Sequence, residues 1–278
     1  MPVDRLAHRP SFPPSPDDRR ALRARRLERL PELMASLYET GDWYVSIPPG
    51  AEMTFEESYW TEVVDPDGCR RNRLEERRRC LEDLATELAY LRALPPGRFL
   101  DAGCGLGWVL SALDDTWVKE GVETSEVAAA HARRFGEVRV ARLESLPYED
   151  GVFDVVFCHH VIEHLRRPER GLEEMRRVLR PGGHLILGTP DFDSGAARRY
   201  RERYRLVHDP THISLFSNDS AHRFLRDHGF QIRKVDYPYF ETRHFSRQSL
   251  ERLLDPLSIS PPFYGSFMTF YCTKADSR

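Results

Sequence analysis

A glycine-rich turn between two apolar segments constrains the fold more than any other feature of this chain. The stretch reads Arg98-Phe-Leu-Asp-Ala-Gly-Cys-Gly-Leu-Gly-Trp108. The residues up to Ala102 predict the end of a buried strand, and those from Val109 to Leu113 follow with helical spacing. Glycine lets the backbone approach a ligand closely, and a helix N-terminus offers free N–H groups to an anion. Strand, glycine turn and helix predict the first unit of a nucleotide-binding α/β domain.

The spacing of the glycines bears on which nucleotide could bind. A dinucleotide fingerprint requires G-x-G-x-x-G. Here the third glycine is Gly107, one residue early, and Trp108 stands where that fingerprint has glycine. The spacing counts against NAD, so an oxidoreductase with a nucleotide cofactor is an alternative that this loop does not favour.

Apolar strand patterns and helical patterns alternate at short intervals after the glycine loop. This order predicts a doubly wound α/β fold with a seven-stranded, mostly parallel sheet and helices on both faces. The strands are expected at 98–102, 117–122, 138–142, 153–158, 184–188, 230–236 and 263–272. Residues 191–214 lack a strand pattern and are interpreted as an insertion.

The chain before the glycine loop has a different character. Five prolines within 1–16 predict a mobile tail, and 17–96 reads as an N-terminal helical cap or lid. Its last helix, about 73–94, should end at the Pro95-Pro96-Gly97 turn. The sequence therefore predicts a catalytic domain over 97–278.

Composition limits the location and the partners. The net charge of −3 gives no general case for nucleic-acid binding, and the sequence has no apolar run long enough to span a membrane. Five scattered cysteines without a C-x-x-C pair indicate reduced thiols and a cytoplasmic location.

Four segments resemble the class I S-adenosylmethionine (SAM) methyltransferases. They are LDAGCGLGW at 100–108, ARLESLPYEDGVFDVVFCHHVIEHL at 141–165, LEEMRRVLRPGGHLILGTP at 172–190 and HDPTHISLF at 208–216. The likeness is greatest to the branch that contains quinone-biosynthesis O-methyltransferases and methyltransferases of sugar and polysaccharide pathways. The resemblance implies SAM as the cofactor and a small-molecule or glycan hydroxyl as the acceptor. It does not favour nucleic acid as a partner.

The resemblance also implies a set of cofactor-binding residues. Glu123 can be argued from position as well, because an acid about 20 residues after the glycine loop commonly binds ribose hydroxyls, although it could instead cap the next helix. Arg142 stands where many relatives have an acid, which departs from the family pattern at the adenine. The expected set comprises Gly103, Cys104 and Gly105 at the amino-acid end, Glu123 at the ribose, Leu143 and Glu144 at the adenine, and the backbone of His159 at the sulfonium, together with Asp101 and Thr124.

Histidines are the candidates for the catalytic base. An alcohol acceptor attacks poorly unless its proton is removed, and histidine is the commonest general base. His160 follows the fourth predicted strand, and His208 and His212 lie in the insertion. We expect His160 or His212 to act ahead of His208. Methyl transfer from a sulfonium requires no metal, and no metal ligand is assigned among these site residues.

Two other readings stay open at this point. His160-Val-Ile-Glu163-His164 spells H-x-x-E-H, and on a helix its two histidines would share a face, as in a zinc-dependent hydrolase. The run Ala197–Arg205 alternates arginine and tyrosine. It could bind an acidic or phosphorylated substrate if its arginines share a helix face, or it could be an ordinary solvated surface.

Overall fold

The computed structural model describes residues 16–49, 55–65, 68–237, 247–255, 257–261 and 267–275. The predicted tail, apart from Pro16, lies outside these residues, as does the start of the last predicted strand. The helices are α1 Pro16–Glu28, α2 Leu30–Thr40, α3 Glu57–Thr61, α4 Arg77–Asp83, α5 Ala85–Ala93, α6 Glu126–Ala132, α7 Pro168–Val178, α8 Gly195–Tyr200, α9 Asn218–Asp227 and α10 Arg247–Leu254. The strands are β1 Val45–Ser46, β2 Val63–Val64, β3 Arg70–Arg71, β4 Arg98–Ala102, β5 Val118–Glu123, β6 Glu137–Val140, β7 Phe153–His159, β8 Leu179–Pro190, β9 Ser214–Leu215, β10 Phe230–Asp236 and β11 Phe267–Lys274.

A seven-stranded sheet forms the centre of the molecule, in the order β10-β11-β8-β7-β4-β5-β6. The pairs among β8, β7, β4, β5 and β6 are parallel, and β11 runs antiparallel to both of its neighbours. Strand β7 is apolar along nearly its whole length because helices cover both faces of the sheet. The predicted doubly wound, mostly parallel fold is confirmed.

The strand order fixes where a ligand can bind. From β4 the chain moves outward through β5 and β6, and it then returns to pair β7 on the other side of β4. In open α/β sheets such a reversal leaves a crevice beyond the carboxyl ends of the strands. The glycine loop after β4 and the segment after β7 both lie at that edge.

Two helices predicted from periodicity differ in the structure. The helix expected over 73–94 consists of a 3₁₀ turn at Arg73–Glu75, then α4 and α5, with a break at Leu84. The helix expected after the glycine loop is only a 3₁₀ turn, Leu110–Ala112. Its apolar residues still pack against the sheet, so periodicity reported their burial correctly and their helical extent wrongly.

The N-terminal helices pack in two places. Helix α5 lies against the sheet, where Leu88 and Leu91 join a cluster with Phe99 and Phe157. Helices α1 and α2 and the insertion instead share a separate apolar cluster. Its fully buried members are Leu30, Met34, Leu37, Val45, Ile47, Phe192, Ala196, Ala197, Tyr200, Tyr204, Val207 and Leu215. The insertion is therefore covered by the first two helices.

Candidate active site

The glycine loop forms the floor of the crevice. Gly103, Gly105 and Gly107 all have positive φ, which glycine adopts without strain. A Cβ at Gly103 would lie 2.5 Å from Cγ2 of Val161, so the loop is in close contact with the segment after β7. A Cβ at Gly105 would face the ring of Trp60 at 3.4 Å. Gly105 therefore faces the N-terminal segment and not the protein core.

The Glu123 carboxylate ties the glycine loop to the end of β5. Its Oε2 accepts the Gly105 N–H at 2.9 Å, and its Oε1 accepts the N–H groups of Thr124 and Ser125 at 2.8 and 2.9 Å. Glu123 is buried, whereas Thr124 is exposed. The carboxylate thus lies at the crevice edge beside the loop, where a ribose diol could exchange with these backbone donors.

Asp101 is a buried acid at the carboxyl end of β4. Burial, together with the charge of Glu123, raises the pKa of Asp101 to about 8. A carboxyl in this state gains most from a cationic ligand, because the cation restores its ionised form. Burial raises the pKa of the Cys104 thiol well above its ordinary value, so this side chain is a neutral packing group.

The segment after β6 carries Leu143 and Glu144, the residues predicted to contact the adenine. Leu143 is buried in the main core beside Leu146 and Ile162. Glu144 is half-buried, and its Oε2 lies 3.7 Å from Nε of the exposed Arg142. The two residues occupy the same edge of the sheet as the glycine loop.

His159 and His160 point to different environments. The His159 ring stacks on Phe157 at a centroid distance of 5.7 Å, and burial lowers its pKa well below the ordinary value. Its Nε2 lies 3.8 Å from Oε1 of Glu87, another buried acid. The His159 side chain is thus packed away, which leaves its backbone at the crevice. His160 has a side chain that is 40% exposed and a φ of 55°.

His160 is paired with an acid that is completely buried. Nδ1 of His160 lies 3.2 Å from Oε1 of Glu163, whose Oε2 accepts the Thr189 hydroxyl at 3.1 Å. Burial alone would raise the pKa of Glu163, but the hydrogen bond from His160 and the neighbouring histidines lower it to about 2. An ionised carboxylate can only accept, so Nδ1 carries the proton and Nε2 keeps its lone pair.

The other candidate histidines separate into two groups. His212 is buried, its Nδ1 lies 2.6 Å from the Leu206 carbonyl, and burial with the nearby His164 lowers its pKa to about 4. One ligand atom each of Glu163, His164 and His212 lies within 4.8 Å of the others. His208 is exposed, and its charged neighbours are Arg23 and Arg205. The structure therefore brings His212 close to the His160–Glu163 pair and leaves His208 on the outside.

Aromatic residues of the N-terminal segment cover the crevice. The Trp60 indole N–H donates to Oγ of Ser125 at 3.2 Å, and the same hydroxyl donates to the Phe55 carbonyl at 2.6 Å. The Phe55 ring lies 6.5 Å from the ring of His164. Tyr59 packs edge-on against Phe55. Helix α3 therefore lies directly over the glycine loop, and Phe55, just before it, reaches the ring of His164.

The arginine–tyrosine run does not form one helix face. Helix α8 ends at Tyr200, and two 3₁₀ turns follow at Arg201–Arg203 and Arg205–His208. Arg198 is paired with Asp193 at 2.7 Å, and Arg205 has a largely buried side chain 3.8 Å from Asp65. The tyrosines are core residues of the insertion. The arginines at 198, 201 and 205 thus do not present a shared cationic surface.

The zinc-hydrolase arrangement is also not formed. Directly after β7, the described chain forms a 3₁₀ turn at Ile162–His164 and no α-helix. His160 precedes this turn and has a left-handed backbone conformation. His160 and His164 therefore do not share a helix face, and Glu163 is buried beneath the turn. Sequence reasoning singled out Glu163 only in that alternative and missed Thr189, whereas Trp60 belongs to the aromatic stretch 42–60, which the sequence predicts as part of the lid and acceptor pocket. A charged residue directly after two apolar ones, as in Val161-Ile162-Glu163, was the signal available for Glu163.

The fold and this crevice define the class of protein. The site has a glycine loop after β4, a buried acid at the end of β4 and another acid at the end of β5. These features describe a class I SAM-dependent methyltransferase with a Rossmann-like sheet. Residues 73–235 match a family model described as a methyltransferase domain, and the chain belongs to that family. SAM is its cofactor.

Individual relatives agree with this assignment. A malonyl-[acyl-carrier protein] O-methyltransferase of Methylococcus capsulatus is 30% identical over 161 residues, 54% of this chain and 58% of that protein. An uncharacterized 37.1 kDa transposon protein of Streptomyces fradiae is 38% identical over 117 residues, 38% of this chain and 34% of that protein. The chain thus spans less than two thirds of these two relatives.

A solved structure extends the comparison to most of the chain. A SAM-dependent methyltransferase of Thermotoga maritima, titled a possible histamine N-methyltransferase, is 30% identical, with a TM-score of 0.54. The matched region covers 72% of this chain and 95% of the chain in that structure. Among the described residues, no helix is both long and apolar enough to cross a membrane.

Proposed function

We propose that this methyltransferase acts on an oxygen of a small-molecule or glycan acceptor, with His160 as the general base. The observation that carries the proposal is the His160–Glu163 pair at the crevice, with Nδ1 and Oε1 3.2 Å apart. This bond leaves Nε2 of His160 as the proton acceptor, the arrangement by which an acid orients a histidine base. The quinone or glycan branch and a cytoplasmic location stay predictions.

The cofactor pocket is proposed at the glycine loop. Bound SAM supplies a methyl group on a sulfonium, so the donor is charged before the reaction and leaves as a neutral thioether. Asp101 would bind the cationic amino group, Glu123 would accept from the ribose hydroxyls, and the loop at Gly103 and Gly105 would approach the ligand without side chains. The raised pKa of Asp101 and the close packing at Gly103 fit this role.

The proposed acceptor pocket lies between the N-terminal aromatic segment, 42–60, and the insertion, 191–214. Both segments border the crevice, because Phe55 and His212 each contact the ring of His164. Covering the crevice excludes water and aligns the acceptor, and alignment can contribute on the order of 7–11 kcal/mol. His160 takes the acceptor proton, and the buried Glu163 carboxylate stabilises the imidazolium that results.

The base is tested by comparing two histidines. Hydroxylated small molecules and glycans are first screened for formation of the demethylated cofactor. With an acceptor in hand, His160→Gln should lower kcat by about 10²–10⁴ and leave SAM affinity near normal. His208→Gln, at an exposed position, should keep near-normal turnover. Equal turnover in both variants would refute His160 as the base, and a preference for amine or thiol acceptors would refute the oxygen target.

A further inference from the structure

The cluster of Glu163, His164 and His212 contains the acid that orients His160 and two histidines that have no chemical role in the proposed reaction. One ligand atom from each side chain lies within 4.8 Å of the others. Glu163 and His212 are buried, and His164 is half-buried. The cluster joins two segments far apart in sequence, the turn after β7 and the insertion. We propose that it is a binding site for a divalent transition-metal ion of the zinc type.

The histidine tautomers favour a metal over a simple polar network. Nδ1 of His164 lies 3.2 Å from the Thr211 carbonyl, and Nδ1 of His212 lies 2.6 Å from the Leu206 carbonyl. A carbonyl can only accept, so each Nδ1 carries the proton and each Nε2 keeps a lone pair. Metal-binding histidines are commonly fixed in this way by a backbone carbonyl.

The carboxylate ligand is held in the same manner. Glu163 accepts from Thr189 through Oε2 and from His160 through Oε1, at 3.1 and 3.2 Å. Each carboxylate oxygen has a further lone pair for an ion. Within the part of the chain that the structure describes, Glu163 is hydrogen-bonded to neither His164 nor His212, although it is completely buried between their segments. In the described part of the chain, the Glu163 carboxylate thus keeps lone pairs that neither histidine of the cluster occupies.

The donor set indicates the kind of ion. Two imidazole nitrogens and one carboxylate suit zinc and similar transition metals, whereas magnesium prefers oxygen ligands. Tetrahedral zinc with bonds of about 2.0–2.1 Å places its ligands about 3.3 Å apart, so the cluster would contract slightly on binding. Oδ2 of Asp209, 3.9 Å from Nε2 of His212, adds negative charge beside the site. This inference departs from the sequence-based expectation that no metal is assigned.

The ion would fasten the insertion to the core. His212 comes from the insertion, and Glu163 and His164 come from the turn that carries His160. Three protein ligands are also the number found in catalytic zinc sites, which keep a fourth position for water or substrate. The claim concerns metal binding alone and does not depend on the identity of the acceptor.

The test uses untagged, full-length protein stripped with a chelator and titrated with zinc chloride by calorimetry. We expect one equivalent to bind, and Glu163→Gln and His212→Asn each to weaken binding by about 100-fold or more, since loss of an outer-shell partner alone typically costs about 10–100-fold. Thr189→Val, which removes only such an outer hydrogen bond, should weaken zinc binding by about tenfold. If the Glu163 and His212 variants fail to fold, Thr189→Val still tests whether zinc binds at this cluster.

Two controls separate this site from other causes. His184→Gln alters a histidine that is hydrogen-bonded to Tyr90 and should leave zinc binding unchanged. Cobalt loaded in place of zinc should give visible absorption bands that disappear in His212→Asn. Zinc binding to the native protein that is no tighter than to His212→Asn would overturn the proposal, even if SAM binding and methyl transfer are intact. Conversely, stoichiometric zinc without SAM binding would leave this site standing and refute the proposed cofactor pocket.

Discussion

At the scale of single residues, the glycines of the loop differ in what a side chain would meet. Among the described residues, a Cβ at Gly105 would meet only the Trp60 ring, whereas one at Gly107 would lie 2.8 Å from Cβ and 2.9 Å from Cα of Ala132. A side chain at position 105 would therefore interfere with Trp60 and with a ligand in the crevice. A side chain at position 107 would interfere with the packing of α6 against the loop.

Gly105→Val should accordingly weaken SAM binding by more than about tenfold, or about 1.4 kcal/mol. The positive φ of Gly105 makes this substitution destabilising as well, but less so than at Gly107, where a side chain also meets α6. Gly107→Val should lower the melting temperature, because backbone atoms of α6 must move. Calorimetry with SAM and thermal unfolding of both variants check this contrast. Native SAM affinity in Gly105→Val would argue against a cofactor at this loop.

The raised pKa of Asp101 predicts that SAM binding is coupled to the release of a proton. Its pKa of about 8 means that the free protein carries a proton there at pH 7. A bound ammonium favours the carboxylate, so binding should release about one proton at pH 7, and SAM affinity should rise with pH up to about 8. Calorimetry in two buffers of different ionisation enthalpy measures the release. Asp101→Asn should abolish it, whereas an unchanged release would assign the proton to another group.

At the scale of elements, helix α3 packs over the glycine loop, and we predict that it gates the cofactor site. Trp60 is held by Ser125 and packs with Leu106 and Ala128 over the glycine loop. Trp60→Ala removes both the ring and the donor, and Trp60→Phe removes the donor alone. We expect Trp60→Ala to increase the SAM dissociation rate in stopped-flow measurements, with Trp60→Phe in between. Identical rates in all three proteins would mean that α3 is not the gate.

The sequence predicted elements well wherever burial followed one regular period. The strand expected at 230–236 has those bounds, and α7 and α9 lie within a residue of the helices that the sequence predicts at 168–179 and 217–228. It failed where a short stretch has helical spacing but forms no α-helix. The 3₁₀ turn at Leu110–Ala112 packs as a helix would, and helical spacing alone cannot distinguish the two.

The candidate site shows the same limit. Glu123 and the glycine loop could be placed from the order of elements, because strand ends share an edge. The sequence marks His212 as a candidate base but cannot place it beside Glu163. The two residues are 49 positions apart, and no periodic pattern spans the insertion. The arginine–tyrosine run misled for a related reason: Tyr200 and Tyr204 fill the core under α2, and alternation in the sequence does not reveal that burial.

At the scale of the whole molecule, helices α1 and α2 and the insertion form one packed unit. Their shared apolar cluster joins α2 to Phe192 and Tyr204, and β1 pairs with β9 in antiparallel register. The predicted division into a cap over 17–96 and a domain over 97–278 stays a proposal. The family match beginning at residue 73 and the packing of α5 on the sheet favour counting α4 and α5 with the core.

Arg23 connects this unit to the candidate site. It is buried, and its guanidinium donates to the carbonyls of Pro48, Val207, Asp209 and His212 at 2.7–3.2 Å. Burial lowers the pKa of Arg23, and the charge of Asp209 opposes that shift. Nothing in an arginine-rich helix marks this residue, because only the folded insertion supplies its four acceptors.

Arg23→Met should therefore loosen the insertion as well as destabilise the protein. The change removes a charged donor from four carbonyls, and leaving such buried groups unpaired costs about 1–3 kcal/mol each before relaxation, so a total loss of about 2–5 kcal/mol is expected. Hydrogen exchange should become faster at residues 205–213, which carry three of the four carbonyls, and slower sites in β4 and β7 should change only with global stability. Arg25→Ala, at an exposed position of the same helix, is the matched control and should leave both measurements near native. If Arg23→Met unfolds at the native denaturant midpoint and exchanges at native rates, α1 does not hold the insertion, and His212 must be positioned by the contacts of β9 and the core alone.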